Sequence, residues 1–337
     1  MHRAILSLLL SWLLALCLPA VAGQRGLAIY SDQDLMLPLV NEDRDYTMGL
    51  GIEVFEEDDG FYPFETPLKQ VGRWFAIRDV DHRVRRSYLL GSVNYTPDDL
   101  SAEAPLRDDR PYASVLYLAN KRVLADRRQA IGVELQVGLL GTYVAREIQR
   151  RLHRAWRDAT GDAEPVDPRG WGNQISHGGE PTLRLRVAHS RYLAGQPGRW
   201  DLAGTLDLSL GYQTNASAGL ALRAGLLGSP FWSLPYDPIN RGNFVPAFGD
   251  DELYLWGALR GRAVAYDALL QGQFRDSPVT YGGEDLRRLV LDAGLGVTGS
   301  WRGVQLTVAA NLKTAELARG QGDRTHWWGG IYLTLRR

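Results

Sequence analysis

The 337-residue sequence is poor in cysteine, in net charge and in long apolar runs. Cys17 is the only cysteine, so neither a disulfide framework nor a cysteine-ligated metal is expected. The formal net charge is -1, which argues against a nucleic-acid partner. After residue 22 no apolar run approaches the roughly 20 residues of a transmembrane helix. The chain also lacks an internal repeat, a low-complexity tract or a linker, which favours one domain.

The first residues have the pattern of an export signal. His2 and Arg3 precede an apolar run over residues 4–18, which ends in the small-residue sequence Pro-Ala-Val-Ala at 19–22. The run is too short for a comfortable membrane span. We therefore expect a signal peptide over residues 1–22, which removes Cys17, and a single outer-membrane domain over residues 23–337.

Alternating apolar and polar residues dominate the rest of the sequence. In the segment 131–139 the odd positions are apolar, whereas Glu134 and Gln136 point to the opposite face. An exported membrane protein without apolar helices is expected to be a barrel with strands of about 9 to 11 residues. A soluble sandwich would alternate in the same way, and the export signal, together with aromatic residues at strand ends, favours the barrel. The polar residues expected in its lumen include Glu134, Arg184, Arg186, Asp207, Asp292 and Lys313.

The sequence thus predicts an all-β fold, an antiparallel transmembrane β-barrel of about twelve strands with one short extracellular-loop helix. An even strand number places both chain ends on one side of the membrane. Short turns are expected at 213–217 and 301–303, and the longest connection, about 141–180, holds the helix. The strands are expected to begin near Leu27, Tyr46, Ser87, Tyr112, Gln129, Pro181, Trp200, Ala218, Leu253, Leu286, Gly303 and Trp327. The aromatics expected in an interfacial girdle are Tyr212, Trp232, Tyr254, Trp256, Trp301, Trp327 and Trp328.

The segment 143–156 is the one strongly helical stretch after the leader. Gln149 and His153 stand four residues apart in it, so they project from one face of the helix. A titratable imidazole beside an amide on the loop helix of a barrel suits attack on a lipid, which favours an enzyme over a passive pore. A lone histidine on a basic helix is more often a solvated surface group. The apolar stripe expected to pack on the barrel is Val144, Ile148, Leu152 and Trp156.

Four stretches of the sequence resemble the outer-membrane lipid A 3'-O-deacylase family, in order and over nearly the whole mature chain. The resemblance implies a twelve-stranded barrel whose active site lies between the outer wall and an extracellular helix. It also implies Ca²⁺-dependent hydrolysis of the 3'-linked acyloxyacyl ester of lipopolysaccharide in the outer membrane. The stretches are Tyr30-Ser-Asp-Gln33-Asp34 with Asp43-Arg44-Asp45-Tyr46-Thr47-Met-Gly49; Asp109-Arg110-Pro111-Tyr112-Ala113; Gln149-xxx-His153 with Glu164-Pro165 and Gly170-Trp171-Gly-Asn173-Gln174; and Tyr266-Asp-Ala-Leu-Leu-Gln271-Gly272.

The resemblance assigns catalytic roles to four residues. It implies that His153 is a general base that takes a proton from the attacking water. Histidine suits this role because its unperturbed pKa, about 6.5, leaves a neutral acceptor near neutral pH. Gln149 would orient the imidazole or the water, Thr47 would serve the oxyanion side, and Glu164 matches the family's acidic residue beyond the helix.

Metal and substrate residues follow from the same resemblance. Asp34 and Gln33 match the metal-binding positions, and their oxygen atoms suit Ca²⁺. The family usually has Asn where this chain has Gln33, which moves the amide carbonyl one methylene further out. Arg110, Arg150 and Arg154 are candidate contacts for the phosphates of lipid A. The alternative is a strand-entry cluster for Arg110 and a solvated helix face for the other two.

Two other functions fit the sequence. An outer-membrane phospholipase would use a Ser/His/Asn arrangement, with a serine and an asparagine near a histidine on the wall. A non-enzymatic barrel or pore would not need His153, although a twelve-stranded lumen is expected to be narrow and largely filled. The oligomeric state is left open, because one lipid-facing pattern suits a monomer and a dimer equally.

Overall fold

A computed structural model of the chain describes residues 25–36, 44–57, 70, 73–74, 85–161, 166–234 and 251–336. The predicted leader lies outside these residues. The strands are β1 (Arg25–Gln33), β2 (Asp45–Glu57), β3 (Arg85–Thr96), β4 (Ala113–Ala125), β5 (Gln129–Leu140), β6 (Glu180–Gln196), β7 (Trp200–Gly211), β8 (Gln213–Leu226), β9 (Glu252–Asp267), β10 (Leu289–Trp301), β11 (Val304–Lys313) and β12 (His326–Arg336). Each strand pairs antiparallel with its sequence neighbours, and β1 pairs with β12. The predicted twelve-stranded barrel is confirmed.

Two helices and two 3-10 turns lie at one end of the barrel. Because β1 begins and β12 ends at the same edge, we call that edge the near end and the opposite edge the far end. Helix α1 (Tyr143–Thr160) follows β5 and α2 (Ala268–Gln271) follows β9, both at the far end. Two 3-10 turns, Asp34–Met36 and Gly170–Asn173, also lie there. No helix among the described residues is long and apolar enough to cross a membrane.

Large apolar side chains cover the outer face of the barrel and are exposed. A water-soluble protein rarely exposes a contiguous apolar patch of more than a few hundred Å², so this face fits contact with lipid. It distinguishes the barrel from the sandwich that the alternation alone left open. The exposed side chains include Leu118, Val137, Leu183, Leu206, Leu220, Leu255, Leu291, Leu306 and Ile331. We call this surface the lipid belt.

The polar side chains that alternate with the lipid belt point inward and are buried. Arg184 contacts Glu134 at 3.2 Å, and Arg186 contacts Asp207 at 2.6 Å. The hydroxyl of Tyr212 also donates to Gln136. A buried charge is tolerated only when it is paired, and these pairs meet that condition across neighbouring strands. All six polar residues that the sequence placed in the lumen are buried, and their bulk does not suit a wide pore.

A second group of buried charges ties the far-end loops together around Glu316. The guanidinium of Arg110 donates to Glu316 at 2.6 Å, and the ammonium of Lys313 donates to the same oxygen at 2.9 Å. Burial alone would raise the pKa of the Glu316 carboxyl, but the Lys313 and Arg110 cations outweigh burial and hold that pKa well below its usual value. The connection between β3 and β4 is thereby fixed to the one between β11 and β12.

Two details of the predicted strand layout are wrong. Of the seven aromatic residues assigned to an interfacial girdle, only Trp301 and Trp327 are exposed, whereas the other five are buried. The prediction failed because a large aromatic ring can fill space in the narrow lumen as well as it can lie at a membrane interface. The turn predicted at 213–217 is instead at Gly211 and Tyr212. Gly211 has φ 135° there, and a Cβ atom on it would overlap the Leu183 carbonyl oxygen.

The turn predicted at 301–303 is confirmed. Arg302 and Gly303 connect β10 to β11 with φ values of 48° and 81°. Positive φ at both central residues matches the right-handed twist of a two-residue hairpin.

We predict that Asp292→Asn destabilises the barrel by about 3–5 kcal/mol, because breaking a buried ion pair leaves an uncompensated charge. Asp292 is fully buried and lies 3.4 Å from Arg260 and 3.3 Å from Arg262. The measurement is urea unfolding in lipid vesicles. Asp323→Asn is the matched control, because its pair with Arg287 is partly exposed and should contribute less than about 1 kcal/mol. Equal losses in both variants would contradict the prediction.

Candidate functional site

Helix α1 packs through a stripe one residue away from the predicted one. Ala145 is buried and belongs to one apolar cluster with Leu100, Tyr112 and Trp171. The stripe of residues four apart continues through Gln149 and His153, which are also buried. The predicted packing stripe, Val144 to Trp156, is largely exposed. The prediction was wrong because an apolar stripe need not face protein when the molecule borders lipid. The small Ala145 side chain allows the close approach.

Gln174 fixes the start of α1 against the barrel wall. Its amide Nε2 donates to the Thr142 carbonyl oxygen at 3.3 Å, and its Oε1 accepts from the Ser114 hydroxyl at 2.9 Å. Thr142 is the N-cap of α1, and Ser114 lies at the far end of β4. Gly161 ends the helix with φ 73°, where its N–H donates to the Arg157 carbonyl. Such a left-handed end favours glycine.

The amide of Gln149 has a defined orientation. The indole Nε1 of Trp171 donates to Gln149 Oε1 at 2.9 Å. An indole nitrogen only donates, so the amide atom that faces it must be the carbonyl oxygen. The amide is planar, and its NH₂ group therefore points away from Trp171. The hydrogen bond with Trp171 thus fixes which end of the Gln149 amide faces the loop.

The imidazole of His153 also has a defined tautomer. Its Nδ1 lies 2.8 Å from the Val166 carbonyl oxygen. Because a carbonyl oxygen only accepts, Nδ1 carries the proton, and in the neutral ring the lone pair is on Nε2. Arg157 donates to Asp167 at 2.9 Å. That hydrogen bond outweighs slight burial and lowers the pKa of the Asp167 carboxyl. It holds the segment that contains Val166 against α1.

Polar side chains occupy outward positions at the far end of β3 and β4, where the lipid belt would otherwise continue. On β3 the outward residues change from the exposed Tyr88 and Leu90 to three buried polar residues. The Asn94 amide donates to the Met48 carbonyl at 3.2 Å, next to the irregularity in β2 between Asp45 and Met48. The outer-wall patch consists of Ser92, Asn94, Thr96 and Ser114, with Thr47 joined to it through a 2.5 Å hydroxyl contact with Thr96.

The loop between β3 and β4 connects the outer-wall patch to α1. It starts beside Thr96, and its Leu100 belongs to the cluster that holds Ala145 and Trp171. The Arg169 backbone N–H donates to the Leu100 carbonyl at 2.9 Å. The outer-wall patch, which Thr47 joins, is thus linked to the start of α1 through Gln174 and to the Trp171 that holds Gln149 through the loop after β3. Trp171 and Asn94 were not predicted as site residues. Trp171 stands in one of the stretches that resemble the family, and the polar break in the outward row of β3 is the signal that marks Asn94.

The two predicted metal ligands lie at the far end of β1. Gln33 is the last residue of the strand and is partly buried, and Asp34 is buried and begins the first 3-10 turn. The donor atoms available here are carboxylate and amide oxygens, which a hard cation prefers. Thr47 adds a hydroxyl on β2, next to the Met48 that pairs with Gln33. Within the described ranges there is no cluster of three or more His, Cys, Asp or Glu side chains that would hold a metal.

The remaining predicted site residues divide into three cases. Arg110 is buried on Glu316, and its guanidinium stacks 3.9 Å from the centroid of the Tyr95 ring. This placement supports the structural alternative, so we assign Arg110 no substrate contact. Arg150 is partly buried and Arg154 is exposed on α1. Glu164 lies outside the described residues.

Comparisons with known proteins agree with this architecture. The family model described as outer membrane protein LpxR matches residues 8–337. Among solved structures, LpxR from Salmonella typhimurium aligns with a TM-score of 0.68 at 16% identity, over 92% of this chain and 99% of that one. The beta domain of the Bordetella autotransporter BrkA aligns with a TM-score of 0.42 at 9% identity, over 94% and 99%. A search among curated proteins found no match.

We predict that Gly329→Ala displaces the turn that carries Asp34. Gly329 is an outward position of β12, where a Cβ atom would lie 2.7 Å from Met36 Cβ and 3.2 Å from its carbonyl carbon. The turn must move to admit the methyl group, so backbone hydrogen exchange over residues 32–36 should accelerate. Gly257→Ala is the matched control, because the nearest atom to a Cβ there is 3.9 Å away. Unchanged exchange in Gly329→Ala would refute the prediction.

Proposed function

The chain belongs to the LpxR family of outer membrane proteins, and we propose that it is a lipid A 3'-O-deacylase that hydrolyses the 3'-linked acyloxyacyl ester of lipopolysaccharide. The observation that carries the proposal is the pairing of His153 with Gln149 on a buried helix stripe beside the outer wall. The far end would face the cell exterior, where lipid A forms the outer leaflet. A filled lumen and a site beside the lipid belt favour a lipid substrate over transport through the barrel.

In the proposed reaction His153 acts through Nε2. The hydrogen bond from Nδ1 to the Val166 carbonyl keeps the lone pair on Nε2, which accepts a proton from water while the water oxygen attacks the ester carbonyl carbon. When the ester C–O bond breaks, the imidazolium returns that proton to the sugar 3' oxygen. The products are the free acyloxyacyl acid and lipid A with a 3' hydroxyl. General-base catalysis of this kind contributes about 10²–10⁴-fold.

Gln149 would stabilise the negative charge that develops on the ester oxygen. Its Oε1 is occupied by the Trp171 indole N–H, so the group that it offers to the substrate is the amide NH₂. A positioned donor aimed at a developing oxyanion contributes about 10²–10³-fold. Thr47 keeps the supporting role on the oxyanion side that the family resemblance implies, and Glu164 keeps its match to the family's acidic residue beyond the helix.

Asp34 and Gln33 would hold the Ca²⁺ ion, whose remaining ligands would be water and backbone oxygens. When bound, a hard cation supplies Lewis-acid stabilisation to a charged ester oxygen. Arg150 and Arg154, which lie on the same side of α1, would contact the lipid A phosphates. Arginine is suited to this because its guanidinium pairs with phosphate through two parallel hydrogen bonds.

We predict that lipid A from Gram-negative cells expressing the protein loses a 3' acyloxyacyl unit, measured by mass spectrometry. His153→Ala should abolish the loss, because the base is removed, and chelation of divalent cations in a membrane assay should do the same. His177→Ala is the matched control, since His177 is exposed and contacts Tyr143 at 3.1 Å instead, and it should retain activity.

An unchanged lipid A profile with folded protein in the membrane would contradict the proposal. If phospholipid is cleaved instead and a serine-directed reagent inactivates the protein, the phospholipase alternative takes its place. If neither lipid changes, the non-enzymatic barrel does.

Trp171→Phe should lower kcat about tenfold and leave KM unchanged, since losing one hydrogen bond of about 1.4 kcal/mol frees the Gln149 amide to rotate. Adding Trp171→Phe to Gln149→Ala should not lower kcat any further, because Trp171 acts through Gln149. Trp256→Phe is the matched control: it also removes an indole hydrogen bond, 3.2 Å to Thr298, but near the other end of the barrel. Additive losses in the double variant would disprove the positioning role.

A further inference from the structure

The apolar stripe of α1 is exposed although the polar stripe beside it is buried. The exposed fractions are 40% for Val144, 43% for Leu152 and 44% for Trp156, against 2% for Gln149 and 3% for His153. Each residue of a helix is rotated by about 100° from the one before it. Because Val144 and Leu152 each come one residue before a member of the buried stripe, the apolar stripe is rotated by about 100° from the buried one. Leaving large apolar side chains in water is unfavourable. We therefore expect the stripe to contact an apolar neighbour other than the barrel.

The lipid belt leads directly into this stripe. Val137 and Leu139 are the last outward residues of β5 and are 60% and 42% exposed. Only Gly141 and Thr142 separate that strand from α1. Leu183, on the neighbouring β6, is also exposed at the same end of the barrel. The helix thus begins at the far-end edge of the lipid belt.

The opposite flank of α1 is positively charged. The helix contains five arginines and only two acidic residues. One step beyond the buried stripe lie Arg146, Arg150 and Arg154, which form a row of residues four apart. A helix with an apolar face and an arginine-rich face is typical of segments that lie in a membrane interface. The basic row complements the phosphates of lipid headgroups.

We propose that α1 lies in the interface of the outer leaflet, with Val144, Leu152 and Trp156 among the acyl chains and the arginine row among the phosphates. This inference rests on the outer-membrane location and not on the hydrolase proposal. If the protein is a hydrolase, the buried stripe between the two flanks meets a lipid at its ester level. The helix then sorts the acyl and phosphate ends of that lipid to opposite sides of His153.

The test measures the surroundings of a nitroxide label at single positions of α1. Labels are placed at Leu152→Cys and, on the polar side, at Glu147→Cys, which is exposed. Both variants are made in a Cys17→Ser background, which leaves no other cysteine. The full barrel is reconstituted in vesicles of phosphatidylethanolamine and lipid A. Collision of the label with oxygen, which concentrates in lipid, is compared with collision with a water-soluble nickel chelate.

The expected result is a loss of nickel collision and a gain of oxygen collision at Leu152→Cys, as at Leu206→Cys, an exposed position of the lipid belt on β7. Glu147→Cys should show the reverse. Nickel collision at Leu152→Cys equal to that at Glu147→Cys would overturn the proposal, because the stripe would then face water. Low collision with both reagents would overturn it as well, because protein would cover the stripe. Heat-modifiable migration of each labelled barrel confirms that it is folded.

Discussion

The structure depends on the requirement that every backbone N–H and C=O within lipid be paired inside the protein. A β-sheet meets this requirement only when it closes, because an open edge would leave a row of unpaired groups. The pairing of β1 with β12 closes the sheet here. Closure gives each strand one lipid face and one lumen face, which accounts for the leucines outside and the charges inside. The buried charges in turn require partners, and pairs such as Arg186 with Asp207 follow from that requirement.

The candidate site lies where this two-sided pattern breaks. Outward positions that carry Tyr88 and Leu90 near the middle of β3 carry Ser92, Asn94 and Thr96 at its far end, and these polar residues are buried. Buried polar groups on a lipid-facing wall need protein above them. The cluster of Leu100, Ala145 and Trp171 beside them carries the loops that make a cover possible. The polar patch and the helix are joined directly by Gln174, which accepts from Ser114 of the patch and donates to the Thr142 carbonyl at the start of the helix.

The sequence predicted strands better than it predicted faces of helices. A period of two identifies a strand wherever one side is apolar, and ten of the twelve starts, from Leu27 to Trp327, fall within two residues of the observed ones. The apolar stripe of α1 misled because amphipathic patterns indicate an apolar neighbour without saying whether it is protein or lipid. The contact of Trp171 with Gln149 joins residues 22 apart through a loop, and no local pattern encodes it. The pairing of Gln149 with His153 was visible because one helix carries both.

A hydrolase that acts on a membrane lipid has to bring water to an ester that lies between apolar chains and charged headgroups. In α1 three stripes of residues four apart, each about 100° from the next, supply an apolar flank, a buried polar row and a basic flank in that order. The polar row carries His153 with its Nδ1 proton on the Val166 carbonyl and Gln149 with its carbonyl oxygen on the Trp171 indole, so both groups are oriented by contacts with acceptor-only or donor-only atoms. One helix can thus match the order of acyl chain, ester and phosphate, because its periodicity places apolar, polar and basic side chains on three different sides of the same turn.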